Sequence, residues 1–212
     1  MRARVLLADD HTLVAEGIGK LLEDEFDLVG TVDNGRQALE FAQRLKPDVI
    51  ILDISMPQMN GVEAARQLQT LVPETKVIFL TMHSDRVYVS EALRAGAAGY
   101  LLKKSAGSEL VSAIHQILAG KTYVTPLVGT DFATSAIEQS AERPRPLLTR
   151  RQREVLQLIA EGHPAKSIAH VLDISVKTAE FHRASIMEKL GLRSTAELTR
   201  YAIDHKMVST ST

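Results

Sequence analysis

Five short apolar runs, separated by segments with helical periodicity, dominate the first 120 residues of the chain. The runs 49–52 (VIIL) and 77–80 (VIFL) are apolar throughout, as expected for strands buried on both faces of a parallel sheet. The alternation therefore predicts a (βα)5 unit of the α/β class. The predicted strands are RVLLA, FDLVGTV, DVIILD, KVIFLT and AGYLL, and the predicted helices are 11–24, 34–46, 60–70, 84–95 and 105–119.

The remainder of the chain has a different organisation. Gly120 is placed to end the last of these helices as a C-cap. Periodicity then fades, and the segment SAERPRP at 140–146 is charged and broken by proline. From Leu147 onward only helical patterns occur. We therefore predict an α/β domain at 1–121, a linker at 122–146 and a small all-α domain at 147–212.

Composition limits the classes of protein to which the chain can belong. Its 212 residues are 45% hydrophobic and 24% charged, the balance of an ordinary protein with one or two hydrophobic cores. The absence of cysteine excludes a disulfide framework, cysteine-ligated zinc and thiol catalysis. The first ten residues contain too short an apolar run for a signal peptide, and no later run reaches membrane-spanning length. We therefore expect a cytoplasmic protein without a membrane partner.

Charge is unevenly distributed between the predicted domains. Residues 1–121 contain 13 lysines and arginines against 16 aspartates and glutamates, whereas residues 147–212 contain 10 against 7. The net charge of −1 for the whole chain conceals this division. The basic C-terminal domain is the part suited to contact a phosphate backbone.

Polar residues follow the ends of the predicted strands. In an open parallel sheet the carboxyl ends of the strands form the functional crevice, so these residues should lie near one another. Three carboxylates there would repel one another unless a cation lay among them, and oxygen ligands suit Mg²⁺. With a lysine and a hydroxyl added, the set fits phosphoryl transfer to Asp53 as the nucleophile. The residues are Asp9, Asp10, Asp53, Thr81, Tyr100 and Lys103.

Each of these residues also has a purely structural interpretation. Asp10 could cap the helix that follows it. Thr81 and Tyr100 belong to residue types that favour strands in any protein. The functional interpretation therefore rests on the set and on its common position at the strand ends.

The motifs LLADDH, LDISMPQMNG, FLTMH and GYLLKK resemble the flavodoxin-like receiver domain of two-component response regulators, across essentially all of residues 1–121. The resemblance implies that Asp53 is the phosphoacceptor and that Asp9 and Asp10 bind Mg²⁺. It also implies that the backbone carbonyl of Ser55 completes the protein ligands of the metal. Thr81 and Lys103 would hold the phosphoryl oxygens, and Tyr100 would be the aromatic switch residue.

The C-terminal segment contains the signals of several short helices. Thr149 and Gln152 have the spacing of a capping box, Gly162 and Pro164 interrupt the first helix, and Ser175 caps a third helix that ends at Gly191. Two short helices joined by a tight turn in a basic unit suggest a helix-turn-helix DNA-binding domain. A helical protein-interaction module is the alternative that charge alone leaves open.

The same segment resembles the LuxR-type helix-turn-helix of NarL/FixJ regulators across residues 147–208, with Gln152, Ala165 and Ala179 as departures from its usual residues. The resemblance implies that residues 194–205 form a helix that pairs with its twin in a dimer. Phosphate contacts are expected from the lysines, and Phe181 could meet a thymine methyl group. His182, on the inner stripe, is expected to pack rather than read a base. The residues assigned to DNA binding are Lys166, Ser175, Lys177, Thr178, Phe181, His182 and Lys189.

The resemblances together imply a response regulator that a sensor histidine kinase phosphorylates on Asp53 and that binds promoter DNA as a homodimer. Slow self-dephosphorylation is expected, without turnover of an external substrate. One alternative is a phosphatase of the haloacid-dehalogenase type, which requires a second aspartate where this chain has Ser55. The other is a receiver-like interaction protein with a DNA-binding tail that acts without phosphorylation.

Overall fold

The computed structural model describes residues 2–84, 86–128, 148–205 and 207–208. The chain forms two compact units, one in its N-terminal part and one in its C-terminal part. None of the described helices combines the length and the apolar character that crossing a membrane requires.

The N-terminal unit is built on a parallel sheet of six strands in the order β2-β1-β3-β4-β5-β6. The strands are β1 (Arg4–Ala8), β2 (Asp27–Val32), β3 (Val49–Leu52), β4 (Lys76–Thr81), β5 (Gly99–Leu102) and β6 (Tyr123–Val124). The helices between them are α1 (Thr12–Leu22), α2 (Gly35–Leu45), α3 (Gly61–Leu71), α4 (Arg86–Arg94) and α5 (Ala106–Leu118).

Helices cover both faces of the sheet. One layer of the core joins α1 and α5 to alternate residues of the central strands, including Val5, Ile51 and Leu80. All four residues of β3 and all four of β5 are buried. Because the strands of this sheet are parallel and covered on both faces, their apolar runs are continuous rather than alternating.

The predicted five strands and five helices of the α/β unit are confirmed, with bounds that differ by one or two residues. Gly120 has a φ of +82° after α5, as expected for a residue that ends a helix. The structure adds β6, which pairs with β5 inside the segment predicted to be a linker. Two residues are too few to show a strand periodicity, so only the tertiary pairing reveals this strand. Residues 129–147, which include most of the predicted linker, lie outside the described residues.

The C-terminal unit consists of helices in the described residues. They are α6 (Arg150–Ala160), α7 (Ala165–Leu172), α8 (Val176–Leu190) and α9 (Thr195–Asp204). Both halves of the predicted capping box are present, with Thr149 at the N-cap of α6 and Gln152 three residues later. Ser175 caps α8, and Gly191 ends it with a φ of +67°. The buried core includes Val155, Leu156, Ile168, Ile186 and Leu198.

Candidate functional site

The carboxyl ends of β1 and β3 bring two buried aspartates together. These strands are neighbours, and the N–H of Asp53 donates to the carbonyl of Ala8 at 2.9 Å. Asp9 and Asp53 are each only 4% exposed. The sheet register therefore places two carboxylates from distant parts of the sequence side by side at one edge.

The turn after β3 is shaped by Gly61, the first residue of α3. Its N–H donates to the carbonyl of Ile54 at 2.9 Å, and a side chain at position 61 would collide with the carbonyl of Asp53. Asn60 caps α3 by accepting from the N–H of Glu63 at 2.9 Å. The close approach of two backbone segments explains why a glycine follows the phosphoacceptor candidate at this distance.

Lys103 lies between the two buried aspartates. Its Nζ is 2.7 Å from Oδ2 of Asp53 and 2.7 Å from Oδ2 of Asp9. The lysine side chain is 7% exposed, so water screens this three-membered ion cluster weakly. One ammonium group thus neutralises part of the charge of two carboxylates, and the cluster retains a net negative charge.

The electrostatic environment shifts the pKa values of two members of the cluster. Burial raises the pKa of Asp53 and the nearby charge of Asp9 adds to this effect, while Lys103 opposes it without cancelling it. Burial alone would lower the pKa of Lys103, but the attraction of Asp53 and Asp9 outweighs it and raises the pKa. The site therefore favours the charged form of Asp53 less than water does, and a further cation beside it would favour that form.

Oxygen donors that could hold such a cation converge at this point. Asp9, Asp10, His11 and Asp53 each offer one ligand atom, and these atoms all lie within 4.8 Å of one another. Nδ1 of His11 lies 2.9 Å from Oδ1 of Asp10 and 3.3 Å from Oδ1 of Asp9. Three carboxylates form a donor set that suits a hard divalent cation such as Mg²⁺.

His83 connects the other predicted residues of the site. Its N–H donates to Oγ1 of Thr81 at 3.3 Å, and its carbonyl accepts from the hydroxyl of Tyr100 at 2.8 Å. Its Nε2 lies 2.8 Å from Oγ of Ser55, and its ring stacks on Tyr88 with centroids 4.0 Å apart. Thr81 and Tyr100 are both 0% exposed. The ends of β3, β4 and β5 are thereby joined through one residue.

Neither His11 nor His83 is among the site residues predicted from the sequence. His11 follows two aspartates directly, so its position beside the acidic pair could have been noticed. No sequence signal links His83 to Ser55, which lies 28 residues away. The N–H of Ser55 also donates to Oδ1 of Asp53 at 3.4 Å, while the role of its carbonyl as a metal ligand stays a prediction.

The residues assigned to DNA binding lie mainly on the surface of α8 and at its N-terminus. Lys177 is exposed, and Phe181 is 68% exposed, an unusual environment for an aromatic side chain. Lys166, on α7, is also exposed. On the opposite face of α8, Ala179 and Ile186 are 1% and 0% exposed. The inner stripe that the sequence predicts for α8 is confirmed by this burial.

Four other residues of the predicted set have partners within the unit. Oγ of Ser175 accepts from the N–H of Thr178 and lies 2.8 Å from its hydroxyl, so both side chains form the cap of α8. His182 is half-buried, with its ring 6.0 Å from that of Phe181. Nζ of Lys189 donates to Oε1 of Gln152 at 3.0 Å, which ties α8 to α6.

The chain matches two family models. Residues 5–115 match the response regulator receiver domain. Residues 146–202 match the bacterial regulatory proteins of the luxR family. The two matches coincide with the α/β unit and the helical unit described above.

Similar proteins match along nearly the whole chain. The transcriptional regulatory protein MctR of Rhizobium johnstonii is 38% identical over 210 residues, which cover 98% of this chain and 96% of that protein. The oxygen regulatory protein NreC of Staphylococcus carnosus is 36% identical over 214 residues, covering 97% and 99%.

The RcsB response regulator of Salmonella typhimurium has a similar structure, with a TM-score of 0.61 and 28% identity over 94% of this chain and 96% of that one. A structure of two RcsB dimers bound to two parallel DNAs matches with a TM-score of 0.57 and 29% identity, over 95% and 98%. With a receiver domain and a LuxR-type helix-turn-helix domain joined in one chain, this protein belongs to the response regulators of the NarL/FixJ type that regulate transcription in two-component systems.

Proposed function

We propose that Asp53 accepts a phosphoryl group from a sensor histidine kinase and that the phosphorylated protein binds promoter DNA through α8. The observation that supports this most strongly is the placement of Asp53. It is a buried carboxylate beside a second aspartate, with a single lysine bridging the two at 2.7 Å. The remaining negative charge of this cluster is suited to bind a metal ion, and the ammonium group of Lys103 is suited to bind a phosphoryl oxygen.

The proposed reaction transfers a phosphoryl group from a phosphohistidine of the kinase to Oδ of Asp53. The phosphorus–nitrogen bond breaks, a phosphorus–oxygen bond forms, and the histidine recovers its electron pair. Lys103 would turn its ammonium group from the carboxylates toward a phosphoryl oxygen, and the hydroxyl of Thr81 would donate to another. Hydrolysis of the acyl phosphate by water would reverse the modification slowly, so the protein turns over no external substrate.

Receiver domains generally use Mg²⁺ at an acidic pocket, and this chain has such a group of aspartates. We assign the metal to Asp9, Asp10 and Asp53, with the backbone carbonyl of Ser55 as the fourth protein ligand. When bound, Mg²⁺ would neutralise the charge that develops on the phosphoryl oxygens. The raised pKa of Asp53 supports this assignment, because a cation beside the carboxylate would favour its reactive, charged form.

We propose Thr81 and Tyr100 as the residues that transmit phosphorylation to the rest of the receiver. They are already linked through His83, whose N–H donates to Thr81 and whose carbonyl accepts from Tyr100. A shift of Thr81 toward the phosphoryl group would therefore strain the contact between His83 and Tyr100. The equilibrium between the resting and the activated receiver can shift by no more than the difference between the free energies with which the two states hold the phosphoryl group.

Receiver domains partner with histidine kinases, and solved structures of LuxR-type regulators include dimers bound to DNA. For this chain we propose a homodimer that forms on phosphorylation through α9, where Ile203 is 37% exposed. Lys166 and Lys177 would contact phosphates, and Phe181 would contact a thymine methyl group. A regulator that binds promoter DNA acts where the DNA is, so the proposed location is the bacterial cytoplasm.

Treatment of the full-length protein with acetyl phosphate, with and without Mg²⁺, tests the proposal. Mass spectrometry should detect one stable phosphoryl adduct that requires Mg²⁺, and light scattering should detect a dimer in the same sample. Continuous turnover of acetyl phosphate would instead indicate a phosphatase. The absence of an adduct under all conditions would indicate an interaction protein that acts without phosphorylation.

A further inference from the structure

The exposed face of α8 carries an acidic residue at the point where a DNA-binding helix would be expected to be neutral or basic. Five exposed residues share this face, at spacings of three and four along the helix. Two of the five are glutamates and one is a lysine. In order along the helix they are Lys177, Glu180, Phe181, Ala184 and Glu188. Arg183, which is also exposed and lies three residues after Glu180, donates to the hydroxyl of Thr195 at 2.6 Å.

Glu180 has no partner that would explain its charge. Its side chain is exposed and makes no hydrogen bond or ion pair with any part of the chain that the structure describes. A free carboxylate on a helix that enters the major groove is repelled by the phosphates on both sides. For this face to bind DNA, the groove must therefore offer a hydrogen-bond donor to the carboxylate of Glu180.

The major groove offers two amino groups as donors, N4 of cytosine and N6 of adenine. The adenine amino group lies beside N7, an acceptor that repels a carboxylate, whereas glutamate and aspartate are suited to accept from cytosine N4. Glu180 is the fifth residue of α8, and the N-terminal residues of a recognition helix are those that reach base edges. Ala184, one turn later on the same face, has no long side chain to hold the helix away from the bases.

The neighbouring residue adds a second preference. Phe181 is 68% exposed, and burial of its ring against a thymine methyl group would remove apolar surface from water. The Cα atoms of consecutive residues are about 3.8 Å apart. The rise per base pair is about 3.4 Å along a DNA strand. Glu180 and Phe181 are thus spaced to contact adjacent base pairs.

We infer that each operator half-site contains a cytosine whose N4 amino group donates to Glu180, adjacent to a thymine whose methyl group contacts Phe181. The inference rests on the proposed function, because it assumes that α8 enters the major groove. It deepens that function by naming the base step that the helix reads.

Selection of binding sites from random duplexes, with the full-length protein after acetyl phosphate treatment, tests the inference. The wild type should enrich one base step with cytosine next to thymine in each half-site. Glutamine pairs with adenine through N6 and N7, so Glu180→Gln should change the preference at the cytosine position to adenine. The change in relative affinity of the two sites should be roughly tenfold or more, within the range for one well-formed base contact.

Glu188→Gln is the matched control. It removes the same charge from the same face, roughly 12 Å further along the helix at 1.5 Å per residue. It should increase the affinity for all sequences by a similar factor and leave the base preference unchanged. Because both glutamates are exposed, circular dichroism spectra and unfolding temperatures of the two variants should match those of the wild type.

An unchanged base preference in Glu180→Gln, with a well-defined operator in the wild type, would overturn the inference and leave the proposed function standing. The inference would also be overturned if Glu180→Gln increased the affinity for every sequence by the same factor as Glu188→Gln. Failure of the wild type to enrich any sequence would instead contradict the proposed function itself.

Discussion

The polar groups of the receiver's acidic site lie at the ends of several strands, whereas the groups of α8 that we propose to read DNA lie on one face of one helix. In the receiver, the acidic site is nearly buried, and the ion pairs of Lys103 connect Asp9 with Asp53. On α8, Lys177 and Phe181 are exposed, and no hydrogen bond or ring contact joins them. One region is a connected network, and the other is a row of separate contacts.

This difference determines how substitutions should combine. Groups that share ion pairs and hydrogen bonds show large coupling energies, while separated groups on a surface act additively. The loss of Lys103 would leave two buried carboxylates without their partner, which costs more than the contact itself. The loss of one lysine from the helical unit would leave the other proposed phosphate contacts intact. Five experiments follow from this contrast, in order of expected effect.

Asp53→Asn should abolish the phosphoryl adduct, a loss of at least about 100-fold, because an amide is a poor nucleophile of nearly the same shape. Mass spectrometry after acetyl phosphate and Mg²⁺ treatment measures this directly. Asp24→Asn, an exposed substitution away from the site, should form the adduct normally. An adduct of unchanged yield in Asp53→Asn would show that the acceptor is another residue.

Replacement of Asp9 and Asp10 together by alanine should weaken Mg²⁺ binding by about 100-fold or more, even though Asp53 is retained. Calorimetric titration of the folded variant provides the measurement. Glu23 and Asp24, which are exposed acidic residues on the same unit, offer a control pair with the same change of charge. Metal affinity that survives in the Asp9 and Asp10 double variant would exclude the assigned ligand set.

Lys166→Ala and Lys177→Ala should each weaken DNA binding by roughly three- to tenfold on all sequences, and each should reduce the salt dependence by about one phosphate contact. The double variant should lose the product of the two factors, because the contacts are independent. Gel-shift titrations at several salt concentrations give both quantities. A double variant that departs strongly from the product would show that the helical unit is as coupled as the receiver site.

His83→Ala should destabilise the receiver by about 1–2 kcal/mol through loss of its contact with Ser55 and of its stacking on Tyr88. A double-mutant cycle with Ser55→Ala should give a coupling of about 0.5–1.5 kcal/mol in urea unfolding. The Asp53 adduct should still form in both variants, because neither residue is the acceptor. If the destabilisations caused by His83→Ala and Ser55→Ala simply add, then the contact between the two side chains contributes no coupling energy.

Without Mg²⁺, Asp53→Asn should stabilise the receiver at neutral pH, since it removes an unfavourable buried charge. Burial raises the pKa of Asp53 above its ordinary value of 3.8, so folding favours the protonated form. The stability that this carboxyl group contributes is complete below the unfolded pKa and is lost as pH rises through the folded pKa.

The advantage of Asp53→Asn should therefore grow as pH rises above about 4, the usual pKa of a free aspartate, and should then become constant. Saturating Mg²⁺ should reduce or reverse it, because the metal stabilises the charged carboxylate of the wild type. Thermal unfolding followed by circular dichroism measures the difference across pH. A difference independent of pH would show that the charge of Asp53 is not what destabilises the metal-free site.

The sequence alone was sufficient to predict much of the secondary structure of this protein. Continuous apolar runs such as 49–52 and 77–80 predict buried parallel strands, since a strand covered on both faces favours apolar residues at successive positions. The caps at Thr149, Ser175 and Gly191 are local signals, because a helix end needs partners within a few residues. The inner stripe of α8 was likewise predicted before any tertiary contact was known, because the spacing of apolar residues along a helix is also a local signal.

The tertiary structure decided what depends on contacts between distant segments. The sequence predicted that Lys103 lies near the aspartates, but only the register of the strands makes it a bridge between Asp9 and Asp53. The pairing of β6 with β5 and the contact of His83 with Ser55 have no periodic signal at all. Lys189, predicted to face DNA phosphates, is held by Gln152 of α6 because the packing of two helices determines which polar groups meet. Local chemistry fixes the elements and their faces, while distances between charges arise only when the elements pack together.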